Sequence, residues 1–434
     1  MGRFLKIFLV VVLAVFAGYG PEATENSTHP VGKLTPGNIR LLNEMSDDPS
    51  FGNFEKTIKY FLRRRDIVGA SVAVAKDGML VYAKGFGYAD STTLEPVQPY
   101  NRFRIASISK LITAVAVMKL QEEGELSVND KVFGPEGILN DPFYSNPKDK
   151  RVYDITVAHL LAHEGGWTTR FGDQMFMPQV VSKEMGVALP VDTKTIVRFA
   201  LNKNLHFTPG TGRSYSNLGY AILGLVIEKI SGTSYEEFCR KNILEPAGIY
   251  DMHFASNLKK NKAPYEVTYY EPPDAILKPS IYGTGDMTAA SYGGNDIESL
   301  GAAGAWIATA PDLMRLLLCI DGFDNKKDIL TKASITFMTD TRNGYAPLGW
   351  KATVYDGTWW RTGTFPGTAG MMKRQSDGIS WVILLNTSTW NGPEITTELN
   401  YYMTRAILQI RKWPERDLFS CSVPAPLAGD ADFR

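Results

Sequence analysis

Ser107 and Lys110 stand three residues apart in Ser107-Ile108-Ser109-Lys110, at the start of a segment whose apolar stripe (Leu111, Val115, Val117, Met118) ends at Gly124. Positions three apart on a helix share a face, so the lysine amine can reach the serine hydroxyl. A serine in this place also sits at a helix N-terminus, where unpaired backbone N–H groups and the positive end of the dipole favour a developing anion. The same positive end, with burial, disfavours an ammonium and favours a neutral amine able to take the serine proton. Such a nucleophile needs no histidine. The spacing by itself is weak evidence, because Ser145-Asn146-Pro147-Lys148 and Ser256-Asn257-Leu258-Lys259 share it. The first carries proline inside the motif, which opposes a helix. The second runs into Lys260, Asn261 and Lys262 without an apolar stripe and reads as a solvated turn.

Two further groups follow Ser107 in the chain. Tyr215-Ser216-Asn217 comes after Phe207-Thr208-Pro209-Gly210 and opens an apolar helix from Leu218 to Ile230, and Arg361-Thr362-Gly363 falls on a predicted strand. In isolation Tyr215 is a core aromatic and Asn217 a helix N-cap. Another Tyr144-Ser145-Asn146 lies in a proline-rich loop only 37 positions after Ser107. As an ordered set, SxxK, YxN and a basic-Thr-Gly triplet resemble the serine β-lactamase and penicillin-binding-protein family, in its class C, D-alanyl-D-alanine carboxypeptidase and related esterase branch. The flanking text, Arg104-Ile105-Ala106-Ser107 and Ile155 through His163, is similar to that branch, and the resemblance covers about residues 55 to 410.

The resemblance implies roles. Ser107 is the acylated nucleophile, with Lys110 and Tyr215 sharing proton transfer. Asn217 holds Lys110 and the acyl amide, and the backbone N–H groups of Ser107 and Thr364 form the oxyanion hole. Tyrosine near its usual pKa of about 10 is a poor base, so Tyr215 needs the Lys110 charge close by. Arg361 departs from the family's lysine or histidine. It keeps the charge, cannot deprotonate, and offers a planar fork suited to a substrate carboxylate; otherwise it is a solvated charge at a strand end. The expected activity is hydrolysis of an ester, amide or D-amino-acid peptide. The rival reading is a catalytically weak penicillin-binding or sensor protein on the same fold.

Other signals carry less. His159 and His163 are four apart, but no glutamate stands between them as a zinc peptidase helix requires. No metal or cofactor is expected. GxSxG is absent, which argues against an α/β-hydrolase fold. Gly85-Phe86-Gly87 follows a hairpin strand and opens no helix, so it is no dinucleotide fingerprint. Trp359 and Trp360 could floor a cleft, although one of an adjacent strand pair normally faces the core. Lys+Arg and Asp+Glu are both 46, which gives no pull towards nucleic acid. Three widely spaced cysteines (Cys239, Cys319, Cys421) define no disulfide framework.

The elements that must position these residues come from both chain ends. Lys76-Asp77-Gly78 between two β-rich runs (71–75 and 79–83) signals a hairpin. Runs at 350–354, 358–361, 371–374 and 381–386, punctuated by Asp356-Gly357 and Asp377-Gly378, signal more strands. A last amphipathic helix is predicted over about 395–410. The expected fold is α+β, an antiparallel sheet built from both chain ends (about 51–130 and 301–412) and flanked by helices. A mainly helical insert fills about 131–300. Arg3 and Lys6 ahead of the apolar run Ile7 to Ala17 give the layout of a signal peptide (1–17), with an uncleaved anchor as the alternative. The chain is therefore expected to be secreted or periplasmic, with residues 18–50 as a linker or arm.

Overall fold

The computed structural model describes residues 40–420; the export segment and Cys421 lie outside the described residues. Asp77 and Gly78 both take positive φ (50° and 82°). A type I′ turn requires this of its two central residues, and its twist matches that of the strands it joins. It connects β1 (Gly69–Lys76) to β2 (Met79–Asp90). A short β3 (Glu95–Pro96) follows, and β4 (Ala352–Thr353), β5 (Trp359–Phe365), β6 (Thr368–Arg374) and β7 (Ile379–Leu385) come from the other end of the chain. The sheet order is β3-β2-β1-β7-β6-β5-β4, antiparallel throughout. The ends meet where β1 pairs β7, Ala70 opposite Leu385 and Lys76 opposite Ile379. This is the expected α+β sheet.

Because side chains alternate along a strand, β7 feeds two cores. Trp381 and Ile383 pack with Phe54, Ile58 and Met403 from α1 (Gly52–Arg64) and from α6 (Ile395–Ile407). Val382 and Leu384 pack on the opposite face with residues of α2 (Ser109–Glu122) and α5 (Ala310–Leu318). Every residue of β7 is buried in consequence. Burial of one such large apolar side chain contributes about 1.5–3 kcal/mol, and truncating Trp381 to alanine would cost about 3–5 kcal/mol.

Between the two strand sets the chain is helical and looped, including α3 (Val157–Leu161) and α4 (Asn217–Ser231). Helix α2 departs from the amphipathic stripe expected of it. Every residue from Ser109 to Met118 is buried, because α2 runs between the sheet and the helical region and has no solvent face. Residues 40–50 also differ from a free linker. The Ser46 hydroxyl bonds both backbone groups of Ala83 (2.7 and 2.8 Å), and Asn43 accepts from Gly85 N–H at 2.7 Å.

Candidate active site

Ser107 lies in a single 3-10 turn, Ala106–Ile108, that leads into α2. Ala106, just before it, is held at φ 46°, a conformation that costs a non-glycine residue of order 1–3 kcal/mol and turns the chain sharply under the nucleophile. Strand β5 passes directly behind. A Cβ added to Gly363 would lie 2.1 Å from the Ile105 carbonyl oxygen and 3.0 Å from the Ser107 nitrogen. Glycine is therefore what lets β5 approach the nucleophile turn. Strand β4 pairs only with Trp359 and Trp360, so past Trp360 this edge of β5 has no strand partner. Thr362, Gly363 and Thr364 line a cavity of about 330 Å³ together with Ser107, Tyr215 and Asn217.

Tyr215 and Asn217 arrive at the head of α4. Ser216 caps that helix, its hydroxyl accepting from Gly219 N–H at 3.0 Å. Asn217 is thus not the cap, and its amide is free to face Lys110. Tyr215 hydroxyl stands 2.6 Å from Ser107 Oγ and Lys110 Nζ stands 3.2 Å from it. Lys110 also donates to Asn217 Oδ1 at 2.7 Å and to the Ala303 carbonyl at 2.5 Å. Both acceptors lack a proton to give. A neutral amine has two N–H bonds and one lone pair, so these carbonyls occupy the two N–H bonds and leave the lone pair towards Ser107.

Arg361 is buried (2% exposed), not a solvated strand-end charge. Its Nε donates to the Ser107 carbonyl at 2.7 Å and a terminal nitrogen lies 3.4 Å from Tyr215 hydroxyl, while the residue also lines the cavity. Burial alone would push the Tyr215 phenol up, but the Lys110 and Arg361 charges overcome it and bring its pKa down to about 8. Burial in turn holds the Lys110 ammonium below its ordinary value; Arg361 adds to this, while Tyr215 and Asp173 oppose it. Lys110 and Tyr215, which meet at Ser107 Oγ, titrate as a coupled pair beside the fixed Arg361 charge.

Two further residues lie near the site: His163, weighed in the sequence only as half of a zinc pair, and Asp173, which carried no functional signal. His163 packs at a tilt against Tyr215 (ring centroids 4.6 Å apart, planes at 40°) and accepts from Ser216 N–H at 3.2 Å. Burial, then the Arg361 and Lys110 charges, keeps it neutral. His159 instead serves the capping box of α3, so the two histidines have separate structural tasks. Among the described residues no group of three or more His, Cys, Asp or Glu side chains could hold a metal ion. Asp173 accepts from Asn217 Nδ2 at 2.7 Å. Of the two tryptophans, Trp359 is buried against Trp350 and Arg374, and neither Trp359 nor Trp360 lines the cavity. The competing serines are elsewhere: Ser145 Oγ donates to the Pro142 carbonyl and Ser256 Oγ to Glu298.

A sheet assembled from both chain ends, with a serine, a lysine and a tyrosine meeting at one oxygen beside its edge strand, defines the β-lactamase and transpeptidase class of fold. The β-lactamase family model matches residues 54–401, and the chain belongs to that family. Over 181 residues it is 33% identical to penicillin-binding protein 4* of Bacillus subtilis, covering 41% of this chain and 36% of that one. Over 218 residues it is 28% identical to protein flp of Staphylococcus aureus, covering 50% and 40%. The chain therefore matches well under half the length of these curated relatives. Among solved structures, the octameric penicillin-binding protein homologue from Pyrococcus abyssi superposes with a TM-score of 0.62 at 28% identity, covering 84% of this chain and 78% of the other. D-amino acid amidase from Ochrobactrum anthropi, at 19% identity and TM-score 0.63 over 84% and 100% of the chains, shares the fold. The family supports a serine-hydrolase-like or penicillin-binding-protein-like function in general terms.

Proposed function

We propose that this chain is an exported serine acyl hydrolase that works through an acyl-Ser107 intermediate on an ester, amide or D-amino-acid peptide. The carrying observation is the convergence of Tyr215 (2.6 Å) and Lys110 (3.2 Å) on Ser107 Oγ. Lys110, its lone pair aimed at the hydroxyl, takes the serine proton as Oγ attacks the carbonyl carbon. The carbonyl oxygen gathers negative charge beside the N–H groups of Ser107 and Thr364. Tyr215, with Lys110 behind it, returns the proton to the departing oxygen or nitrogen. Water then enters by the same steps in reverse, and hydrolysis frees Ser107. Arg361 serves here as a fixed charge that favours the phenolate of Tyr215 and braces the nucleophile turn.

Hydrolase and acyltransferase activity named for the structural neighbour EstCE1, and amide chemistry named for D-amino acid amidase, make short-chain esters and amides the first substrates to try. The test is labelling with a fluorophosphonate and a penicillin-type probe, followed by peptide mass mapping and turnover assays on short-chain esters, a chromogenic cephalosporin and a D-Ala-D-Ala peptide. Adduct on Ser107 with turnover supports the reading. Adduct on another serine, or full activity in Ser107→Ala, refutes it. A permanent Ser107 adduct without turnover would make the chain a penicillin-binding or sensor protein. Export rests on the apolar run Ile7 to Ala17; N-terminal sequencing of native protein checks it, and cleavage near Gly18 is expected.

A further inference from the structure

Asp173 lies outside all three motifs, in the loop before a short 3-10 turn (Gln174–Phe176) of the helical region. Its Oδ1 accepts from Met175 N–H at 3.0 Å, and its Oδ2 accepts from Asn217 Nδ2 at 2.7 Å. At the other end of the same amide, Oδ1 accepts from Lys110 at 2.7 Å. A carboxylate has no proton to give and an amine Nζ–H must find an acceptor. The two neighbours thus dictate which way the Asn217 amide faces. Without Asp173 the amide could rotate, turn its NH2 towards Lys110, and take the acceptor from one Nζ–H.

We propose that Asp173 is a positioning residue that locks the Asn217 amide with its oxygen on Lys110 and so keeps the Lys110 lone pair aimed at Ser107. The assignment rests on the acyl-Ser107 reading above. Its charge acts as well, because the ionisable and charged groups facing Lys110 are Tyr215, Tyr220, Arg361 and Asp173, with His163 behind Tyr215. Of these, Asp173 is the carboxylate, and it favours the ammonium form of Lys110. Removing it should ease Lys110 deprotonation.

The variants are Asp173→Asn, Asp173→Ala, Asn217→Ala and Asp173→Ala/Asn217→Ala, each first checked for a wild-type circular dichroism spectrum and melting transition. The rate of fluorophosphonate labelling of Ser107 is then followed from pH 5 to 10. Asp173→Ala should lower the plateau rate about tenfold, the scale of one lost hydrogen bond of about 1.4 kcal/mol. Asp173→Asn, which can still offer an oxygen to Nδ2, should recover much of that loss. Both should move the acidic limb to lower pH, because the charge is gone in each. The double variant should be no slower than Asn217→Ala alone, as expected when one residue acts through the other. Additive losses, or an unmoved limb in both variants, would overturn the assignment and leave Asp173 as a loop anchor. Failure of the wild type to label on Ser107 would overturn the acyl-enzyme reading as well, so the two failures are told apart.

Discussion

Arg361 Nε donates to the backbone carbonyl of Ser107 at 2.7 Å, tying β5 to the turn that carries the nucleophile. The same guanidinium reaches Tyr215 hydroxyl at 3.4 Å, so one buried cation joins all three motifs. These two contacts use two of its five N–H groups, and Arg361 also lines the cavity. Arg361→Ala should therefore lower kcat/KM for a neutral ester and for a carboxylate-bearing substrate alike, by about 1.5–3 kcal/mol, the range for hydrogen bonds to charged groups. Arg361→Lys should restore part of the loss on both. A loss confined to carboxylate substrates would show that the fork turns to substrate after all.

Lys110→Ala should slow acylation of Ser107 by about 10² to 10⁴-fold, the usual contribution of a positioned general base. Stopped-flow measurement of probe labelling decides it. The melting temperature needs to be followed in parallel, because Lys110 is fully buried and the carbonyl of Ala303 would lose its donor. Labelling as fast as in wild type would remove Lys110 from the mechanism.

Tyr215 should appear in an ultraviolet pH titration as one phenolate forming near pH 8, about two units below ordinary tyrosine. The sign follows from the cations. Lys110 and Arg361 stabilise the charged form, so the proton leaves at lower pH. Tyr215→Phe should erase that step. A wild-type curve without a step below pH 9 would mean that burial wins over the two charges.

Gly363→Ala should damage activity more than stability. The added methyl would meet the Ile105 carbonyl oxygen at 2.1 Å and the Ser107 nitrogen at 3.0 Å, forcing β5 away from the nucleophile turn. A displacement of about 1 Å at reacting groups can cost about 100-fold in rate. Ester turnover and thermal melting measured together check this; unchanged turnover would show that the turn and strand can separate without harm.

Asp321 provides a pH test remote from the cleft. It is fully buried and its Oδ2 has no hydrogen-bond partner. Burial, then the nearby Asp328 charge, raises its pKa to about 6, although Phe323 N–H and Arg374 oppose the rise. A carboxyl with a folded pKa above its unfolded value binds its proton more tightly when folded, so it adds stability as pH falls from about 6 towards 4 and costs stability above 6. Asp321→Asn should raise the melting temperature at pH 8, and the gain should vanish near pH 4. A destabilised variant at pH 8 would show that the charge is needed there.

Much of this was legible in the residues because the determinants are local. Asp77-Gly78 specifies a type I′ hairpin whatever surrounds it, and the Ser107–Lys110 spacing puts both on one helix face. The order of SxxK, YxN and Arg361-Thr362-Gly363 identified the family, the sheet built from both ends, and the groups that meet at the nucleophile. What the sequence could not decide is where side chains with several possible partners would turn. Arg361 could have faced substrate, solvent or the protein, and only the packing of β5 behind the Ser107 turn directs it to the Ser107 carbonyl and Tyr215 hydroxyl. Asn217 could have capped its helix, until Ser216 did so and left the amide to Lys110. Asp173 was invisible as a site residue because nothing in its own neighbourhood marks it, and His163 was weighed only as half of a zinc pair with His159. They come to the nucleophile through contacts 44 and 53 residues away along the chain, and such contacts exist only once the helical region has folded and set Tyr215 and Asn217 beside Ser107.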